Sequence, residues 1–248
     1  MVLHNHKAKD APVIFDAYID GFNLYKGVLE TRPSLKWLDL NSFCRSLRPD
    51  MTLGSVHYFT APVKERFPGD NAPRRQEKYL RVLRNQGIDV IRGKFIKNNS
   101  WLRVASTERS TLIQPNLASH FGLTQLALNS ATKKAQPDLP KAQVTDMEEK
   151  GSDVNLASHL LRDVYVNKLL AALVITGDSD LVTPIQFAVS AGANIKVVVP
   201  RKEQPAHNLR QAATHCEHLD PSQLSDHQLS KTFITPQGRQ IVRPEEWT

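Results

Sequence analysis

Four aspartates stand where apolar runs of the chain give way to turns or helices: Asp20, Asp153, Asp178 and Asp180. Ligands of open α/β sheets lie at the carboxyl ends of the strands, so acids at such positions are expected to share one edge of a sheet. Several carboxylates held close together repel one another unless a cation joins them. Because oxygen ligands suit hard divalent cations, the pattern predicts a site for Mg2+ or Mn2+.

Two short motifs carry three of these acids. The motif DGFN occupies residues 20–23, and TGDSD occupies residues 176–180. Asp178 and Asp180 are two positions apart, so both carboxylates can approach one cation from the same side of a turn, and Gly177 lets the backbone bend there without a Cβ clash. Each aspartate alone is equally well explained as a cap of a turn or a helix. The metal hypothesis therefore depends on their occurring together.

The elements around the motifs predict an α/β fold. Residues 13–19 are rich in β-branched and aromatic side chains, which favours a first, central strand, and residues 169–176 form an apolar run typical of a parallel strand covered on both faces. The remaining expected elements are strands at 55–60, 88–91 and 194–199 and helices at 41–47, 72–86, 152–164 and 183–191. This alternation predicts a three-layer α/β/α domain with a mainly parallel central sheet.

The helix expected at residues 152–164 matters for the site because it carries Asp153. Its apolar positions include Ala157, Leu160 and Leu161, which share one helical face with Asp153. The carboxylate of Asp153 is therefore expected to point toward the sheet rather than into water.

The composition along the chain suggests four parts. Residues 1–12 lack an apolar stretch and are interpreted as a flexible leader, residues 13–219 as the domain, and residues 220–248 as a C-terminal arm. Within the domain, the polar segment at about 97–147 is interpreted as an inserted flap. The chain has no run of 18 apolar residues, so we expect no membrane span, and its two cysteines favour a reducing, cytoplasmic location.

The formal net charge of +7 predicts attraction to polyanions, with nucleic acid as the leading partner class. Basic residues concentrate between positions 64 and 109, beside the expected acidic centre, as a phosphodiester substrate would require. Trp101 or Tyr58 could stack on the bases of a single strand. The alternative is an ordinary solvated helix face. The residues predicted to follow the phosphate backbone are Arg74, Arg75, Lys78 and Arg81.

Longer segments resemble a known family. IDGFNLY (residues 19–25), EEKGSDVNLASHLLRD (148–163) and TGDSDLVTPI (176–185) resemble the NYN-domain proteins, relatives of the PIN-like nucleases. YFTAPVK, RQEKYLRVLR and GKF between residues 58 and 95, and the closing RPEEW, resemble one bacterial branch of that family.

The resemblance implies a PIN-like fold and a divalent-metal-dependent ribonuclease that hydrolyses phosphodiester bonds, with single-stranded RNA as the favoured substrate. Asp20, Asp153, Asp178 and Asp180 match the acidic positions of the family and are expected to hold the metal and to be catalytic; Asn23 matches its site asparagine. A homo-oligomer is compatible with this interpretation.

Four residues are expected to contact the substrate or a metal-bound water. Asn23, Thr176 and Ser179 can hydrogen-bond the scissile phosphate or a metal-bound water, and Asn23 is also expected to be catalytic. Lys150 can neutralise charge near the site. Lys150 fits equally well as an exposed lysine that precedes a helix.

Two other functions remain open at this point. The first is a nucleic-acid-binding regulatory module with an inactive centre. The second is a hydroxylase acting on a pyridine compound, an activity assigned to some relatives in this branch, although no G-x-G-x-x-G follows the first strand. His215, Cys216 and His218 could suggest zinc, but the sequence shows no second ligand cluster, and we interpret the trio as a helix end with exposed histidines.

Overall fold

The computed structural model describes residues 12–65, 67–103, 141–200 and 207–248, and of residues 95–103 and 141–149 it describes the backbone alone. The chain divides into two compact units, one formed by residues 94–150 and the other by the rest of the chain. Apart from Pro12, the predicted leader lies outside the described residues.

The larger unit is built on a six-stranded sheet. Its strands are β1 (Ile14–Asp20), β2 (Thr52–Thr60), β3 (Asp89–Arg92), β6 (Ala171–Ile175), β7 (Asn194–Val199) and β8 (His215–His218). They lie in the order β3-β2-β1-β6-β7-β8, and all five neighbouring pairs are parallel. The chain order reverses between β1 and β6, so these two strands flank the topological switch point.

Helices cover both faces of the sheet. On one face, side chains such as Phe15, Ile19 and Leu173 pack against the helices from the first half of the chain; on the other, Tyr18 and Val174 pack against the helices from the second half. Neighbouring strand residues thus point to opposite cores, as the period of two requires. The helices are α1 (Gly21–Leu24), α2 (Leu40–Leu47), α3 (Ala72–Asn85), α4 (Ser152–Tyr165), α5 (Val182–Ser190) and α6 (His207–Ala212). The predicted three-layer α/β/α architecture is confirmed.

The chain after β1 is a short α1 that continues directly into a π-helix, Tyr25–Leu29. Gly27 lies in this π-helix, and a Cβ at this position would stand 1.8 Å from the backbone oxygen of Pro200, which follows β7. The helix that begins at the predicted DGFN motif therefore lies directly against the chain leaving β7.

The edge strand β8 differs from the expectation for its segment. His215–His218 is not a helix end; it pairs in parallel with β7, with Lys196 opposite His215 and Val199 opposite His218. The helix α6 ends earlier, at Ala212. A four-residue polar strand at a sheet edge shows no apolar alternation, so the periodicity of the sequence could not indicate it. Its extended conformation results from hydrogen bonding to the backbone N–H and C=O groups along the edge of β7.

The C-terminal segment adds to the core that lies beneath α2 and α3. Leu224, Ile241 and Trp247 are buried in the same cluster as Trp37, whose Nε1 donates a hydrogen bond to the backbone oxygen of Ser230 at 2.9 Å. The segment contains 3-10 helices at Pro221–His227 and Glu245–Trp247 and the antiparallel strands β9 (Thr232–Ile234) and β10 (Gln240–Val242).

In the described part of the smaller unit, β4 (Lys94–Arg103) pairs antiparallel with β5 (Lys141–Lys150), in continuous register from Lys94 opposite Lys150 to Arg103 opposite Lys141. Most of the predicted flap, residues 104–140, lies outside the described residues. Among the residues whose placement is described, no helix has the length and apolar character needed to cross a membrane.

Tyr18 and Asp163 form a buried polar contact between β1 and α4. The Tyr18 hydroxyl donates to Asp163 Oδ2 at 2.7 Å, and both side chains are buried. Burial opposes ionisation of Asp163, but hydrogen bonds from Tyr18 and Arg162 hold the pKa of its carboxyl below the usual range. The hydrogen bond from the neutral Tyr18 hydroxyl to the Asp163 carboxylate thus contributes to the attachment of α4 to the sheet.

Tyr18→Phe is expected to lower the free energy of unfolding by about 1–3 kcal/mol at pH 7, because it leaves a buried carboxylate without one of its donors. The pKa of Asp163 is lower in the folded protein than in the unfolded chain, where it is about 3.9. The stability lost in Tyr18→Phe is therefore full above about pH 3.9 and becomes smaller as the pH falls through the folded pKa. Urea unfolding at several pH values measures both effects. Tyr165→Phe is the matched control, because Tyr165 is half exposed and its hydroxyl donates to the Phe187 carbonyl at 3.0 Å. Equal losses in the two variants would contradict the assignment.

Candidate active site

Asp20, the last residue of β1, is fixed by three hydrogen bonds. Its Oδ1 accepts from the backbone N–H of Asn23 at 2.9 Å, and its Oδ2 accepts from Asn23 Nδ2 at 2.6 Å and from Thr176 Oγ1 at 3.1 Å. Asp20 is only 2% exposed, and this burial raises the pKa of its carboxyl, with a smaller contribution from the charge of Asp178. The hydrogen bonds act in the opposite direction and orient the carboxylate.

Gly21 allows the turn after Asp20 to lie against the end of β2. A Cβ at this position would stand 2.6 Å from the Tyr58 ring and 2.8 Å from the backbone oxygen of Phe59. The close approach explains the glycine of the DGFN motif. Tyr58 is itself buried in this contact at 8% exposure, so the prediction that it stacks on a base was wrong. The side chain of Trp101 lies outside what the structure describes.

The segment after β6 links Asp20 to the second acidic motif. Thr176 is fully buried; besides donating to Asp20, its hydroxyl accepts the backbone N–H of Asp178 at 3.1 Å. Asp178 caps the 3-10 turn Ser179–Leu181, since its Oδ1 accepts the backbone N–H of Asp180 at 2.9 Å. Thr176 therefore positions two acids. Because its hydroxyl is buried, it does not reach the solvent from which a substrate would bind.

Asp153 reaches the same region from the first turn of α4. The pKa of its carboxyl is raised to about 6, first by burial and then by the negative charges of Asp20, Asp178 and Asp180. The structure thus brings Asp20, Asp178 and Asp180 within electrostatic reach of Asp153. Asp153 is half-buried, as its predicted inward face requires, and Asp180 is exposed.

These acids have the ligand type of a divalent-cation site, although among the described residues no three of their carboxylates place oxygens within 4.8 Å of one another. They offer oxygen ligands alone, which is the donor set of Mg2+ and Mn2+. After burial, the negative charges of Asp20, Asp178 and Asp180 contribute to the raised pKa of Asp153, so a cation at this point would relieve repulsion. The position, beyond the carboxyl ends of β1 and β6, is where open parallel sheets bind ligands.

The other predicted site residues differ in their exposure and in the element that carries them. Ser179 is exposed at the start of the 3-10 turn, and Lys150 is exposed at the end of β5, in the smaller unit. On α3, Arg74 and Arg81 are exposed, whereas Arg75 Nη1 lies 2.8 Å from Glu246 Oε1. Lys78 is half-buried and lines a groove of about 390 Å3 with Arg81, Arg239 and residues of β10.

The sequence patterns did not indicate a second cluster on the α4 side of the sheet. His57 of β2, Asp89 of β3 and His159 of α4 place one potential ligand atom each within 4.8 Å of the others. These residues are far apart in the chain and show none of the short spacings that mark metal sites. The pairing of β2 with β3 places His57 opposite Asp89, and the packing of α4 over both strands adds His159.

The parallel six-stranded sheet with helices on both faces is consistent with a PIN-like fold. The chain belongs to the NYN domain family, whose model matches residues 17–220. NYN domains are nuclease-like and bind nucleic acids.

Two similar proteins place the chain among known sequences and structures. It is 26% identical to the 6-hydroxy-3-succinoylpyridine 3-monooxygenase HspA of Pseudomonas putida (strain DSM 28022 / S16), and the match covers 97% of this chain and 77% of that protein. A crystal structure of VPA0982, a protein of unknown function from Vibrio parahaemolyticus RIMD 2210633, superposes with a TM-score of 0.48 at 14% identity, covering 90% of this chain and 99% of that one.

Proposed function

We propose that this protein is a divalent-metal-dependent ribonuclease that hydrolyses phosphodiester bonds of single-stranded RNA. The observation that carries the proposal is the acidic cluster, in which Asp20 and Asp178 are joined through Thr176 and the charges of three aspartates act on Asp153. Membership of a nuclease-like family supports the same chemistry. A basic protein with exposed arginines on α3 suits a polyanionic substrate.

Asp20, Asp153, Asp178 and Asp180 are the residues that would hold Mg2+ or Mn2+. A bound cation of this kind supplies charge neutralisation at a phosphate and lowers the pKa of a water molecule. Asn23 and Thr176 keep the carboxylate of Asp20 in one orientation, so that little rearrangement is needed on binding.

Two polar residues complete the proposed substrate contacts. Ser179 is exposed beside Asp178 and Asp180, where its hydroxyl can donate to a phosphate oxygen. Lys150 is proposed as an additional cation for the RNA backbone. Attack of water on the phosphorus with departure of the 3'-oxygen leaves a 3'-hydroxyl and a 5'-phosphate.

The direct test is incubation of the purified protein with labelled single-stranded RNA and DNA of the same sequence. We expect RNA cleavage with Mg2+ or Mn2+, none with EDTA, and recovery when the metal is restored in excess. Mass spectrometry of the fragments should show 5'-phosphates. Cleavage that persists in EDTA, or intact RNA under every metal condition, would contradict the proposal.

The exposed arginines of α3 are proposed to bind the RNA backbone. Because α3 follows the carboxyl end of β2, its first turn begins at the same end of the strands as the acids. Arg74 and Arg81 are exposed, while Arg75 is held by Glu246 and is available only if that ion pair opens. The binding contribution is therefore expected mainly from the first two and from Lys78 in its groove.

The double variant Arg74→Glu, Arg81→Glu is expected to weaken RNA binding at least about tenfold and to lower the slope of log affinity against log salt by about 1–2. Fluorescence anisotropy over a salt series, with Ca2+ in place of Mg2+ to suppress cleavage, measures both. Arg45→Glu is the matched control, since Arg45 is exposed in the last turn of α2, at the opposite end of the sheet. An unchanged salt slope in the double variant would show that α3 is only a solvated surface.

The name of the Pseudomonas protein supports a second candidate, oxygenation of a hydroxylated pyridine, at 26% identity over nearly the whole chain. The test is to incubate the protein with 6-hydroxy-3-succinoylpyridine, O2 and a reduced nicotinamide, and to search by mass spectrometry for a product one oxygen atom heavier than the pyridine. Formation of that product together with intact RNA in the cleavage assay would favour this candidate over the ribonuclease.

A further inference from the structure

His57, Asp89 and His159 form a compact group on the α4 side of the sheet. His57 Nδ1 lies 3.3 Å from Asp89 Oδ2, and one ligand atom of each residue lies within 4.8 Å of the other two. The two imidazole rings are tilted by 58° with their centroids 5.9 Å apart. The three residues thus face a common point from three different elements, β2, β3 and α4.

Aromatic neighbours fix both imidazoles. Tyr18 stacks on the His57 ring at a centroid distance of 5.1 Å, and Phe59 meets the His159 ring edge-on at 5.5 Å. Tyr18 is itself anchored by its hydrogen bond to Asp163. The rings are therefore held in place by packing, as metal-binding histidines must be.

His159 retains unused binding capacity. Its Nδ1 is buried and has no hydrogen-bond partner among the described residues, which is costly for a polar atom. Burial, followed by the neighbouring charges of Arg162 and His57, lowers the pKa of His159 and so favours the neutral ring. Neutral imidazole is the form that binds a metal ion.

We propose that His57, Asp89 and His159 form a second metal site, which binds Zn2+ through two imidazole nitrogens and one carboxylate. Three protein ligands of this type, with a fourth position left to water, are characteristic of zinc sites that are not purely structural. Asp89 is well exposed, so the site is accessible from solvent. The ligand set also separates this site from the all-oxygen acidic cluster, which suits harder cations.

The two sites are neighbours but distinct. His57 is opposite Tyr18 in the register of β1 and β2, two residues before Asp20, which corresponds to about 7 Å along the strands. His159 is six residues after Asp153 on α4, or about 9 Å along the helix. Zinc bound here would tie α4 to β2 and β3 and so stabilise the helix that carries Asp153.

Metal titration of the full-length protein tests the proposal. The wild type and the Asp178→Asn variant are both titrated in a buffer with excess Mg2+. Mg2+ occupies the acidic cluster of the wild type, and the substitution impairs that cluster in the variant. We expect one equivalent of Zn2+ to bind in both, Co2+ to give the visible absorption of a four-coordinate nitrogen and oxygen site, and Zn2+ to raise the melting temperature by roughly 5 °C at saturation.

Two ligand variants and a control define the outcome. Asp89→Asn, at an exposed position, is expected to fold normally and to weaken Zn2+ binding by at least about tenfold, and His159→Gln is expected to abolish the Co2+ spectrum. His207→Gln, which alters an exposed histidine of α6, should change neither. Zinc binding that is absent in the wild type, or equally strong in Asp89→Asn and His159→Gln, would overturn the proposal, whatever the result of the RNA cleavage assay.

Discussion

Asp178→Asn is expected to reduce metal-dependent RNA cleavage on the order of 10^3-fold or more, because it removes one proposed metal ligand from the site. The fold should be unaffected. The Asp178 Oδ1 that accepts the N–H of Asp180 has a counterpart in the asparagine side chain, so the cap of the 3-10 turn is retained. Loss of one negative charge from the cluster also relieves repulsion, so the melting temperature without metal should stay the same or rise.

The same substitution has a readout that does not depend on activity. The charge of Asp178 contributes to the raised pKa of Asp153, which is about 6. In Asp178→Asn this contribution disappears, so the pKa of Asp153 should fall, and carboxyl NMR without metal measures the change. Asp226→Asn is the matched control, because Asp226 is exposed in the Pro221–His227 helix, remote in sequence from both acidic motifs. Equal cleavage by the wild type and Asp178→Asn would refute the proposed role of the cluster.

Gly27→Ala is expected to lower the free energy of unfolding by about 3 kcal/mol or more, the upper end of the cost of overpacking. The added Cβ would stand 1.8 Å from the backbone oxygen of Pro200 and 2.6 Å from its carbonyl carbon, and neither is the end of a flexible side chain. The π-helix Tyr25–Leu29 or the chain after β7 must therefore move. Because the π-helix continues directly from α1, that movement is also expected to displace Asn23 and weaken its hold on Asp20.

Chemical denaturation and RNA cleavage together test this prediction. Lys26→Ala alters the neighbouring residue of the same π-helix and removes an exposed ion pair with Glu30, worth about 0.3–0.5 kcal/mol. If Gly27→Ala cost no more than Lys26→Ala, the close contact with Pro200 would not constrain the helix as described.

The acids of the proposed site could be predicted from the sequence because each adjoins a strongly patterned element. The apolar runs before Asp20 and Asp178 predict parallel strands, and parallel strands of one sheet end at a shared edge. Asp153 could be assigned an inward face because helical spacing links it to Leu160. Neither pattern indicated that Thr176 bridges Asp20 and Asp178, since that contact joins residues 156 positions apart.

The sequence by itself determined the layered α/β fold, the acidic edge and the family, because these depend on the local alternation of strands and helices and on motifs of a few residues. Only the tertiary structure decided which hydroxyl orients which carboxylate, that Tyr58 is buried, that His215–His218 is a strand, and that His57, Asp89 and His159 meet. The physical reason is that these features depend on contacts between distant segments. The packing of α4 across β2 and β3, for example, cannot be predicted from hydrophobic periodicity in the sequence. The acids are thus encoded locally, and their charge coupling is produced by the fold.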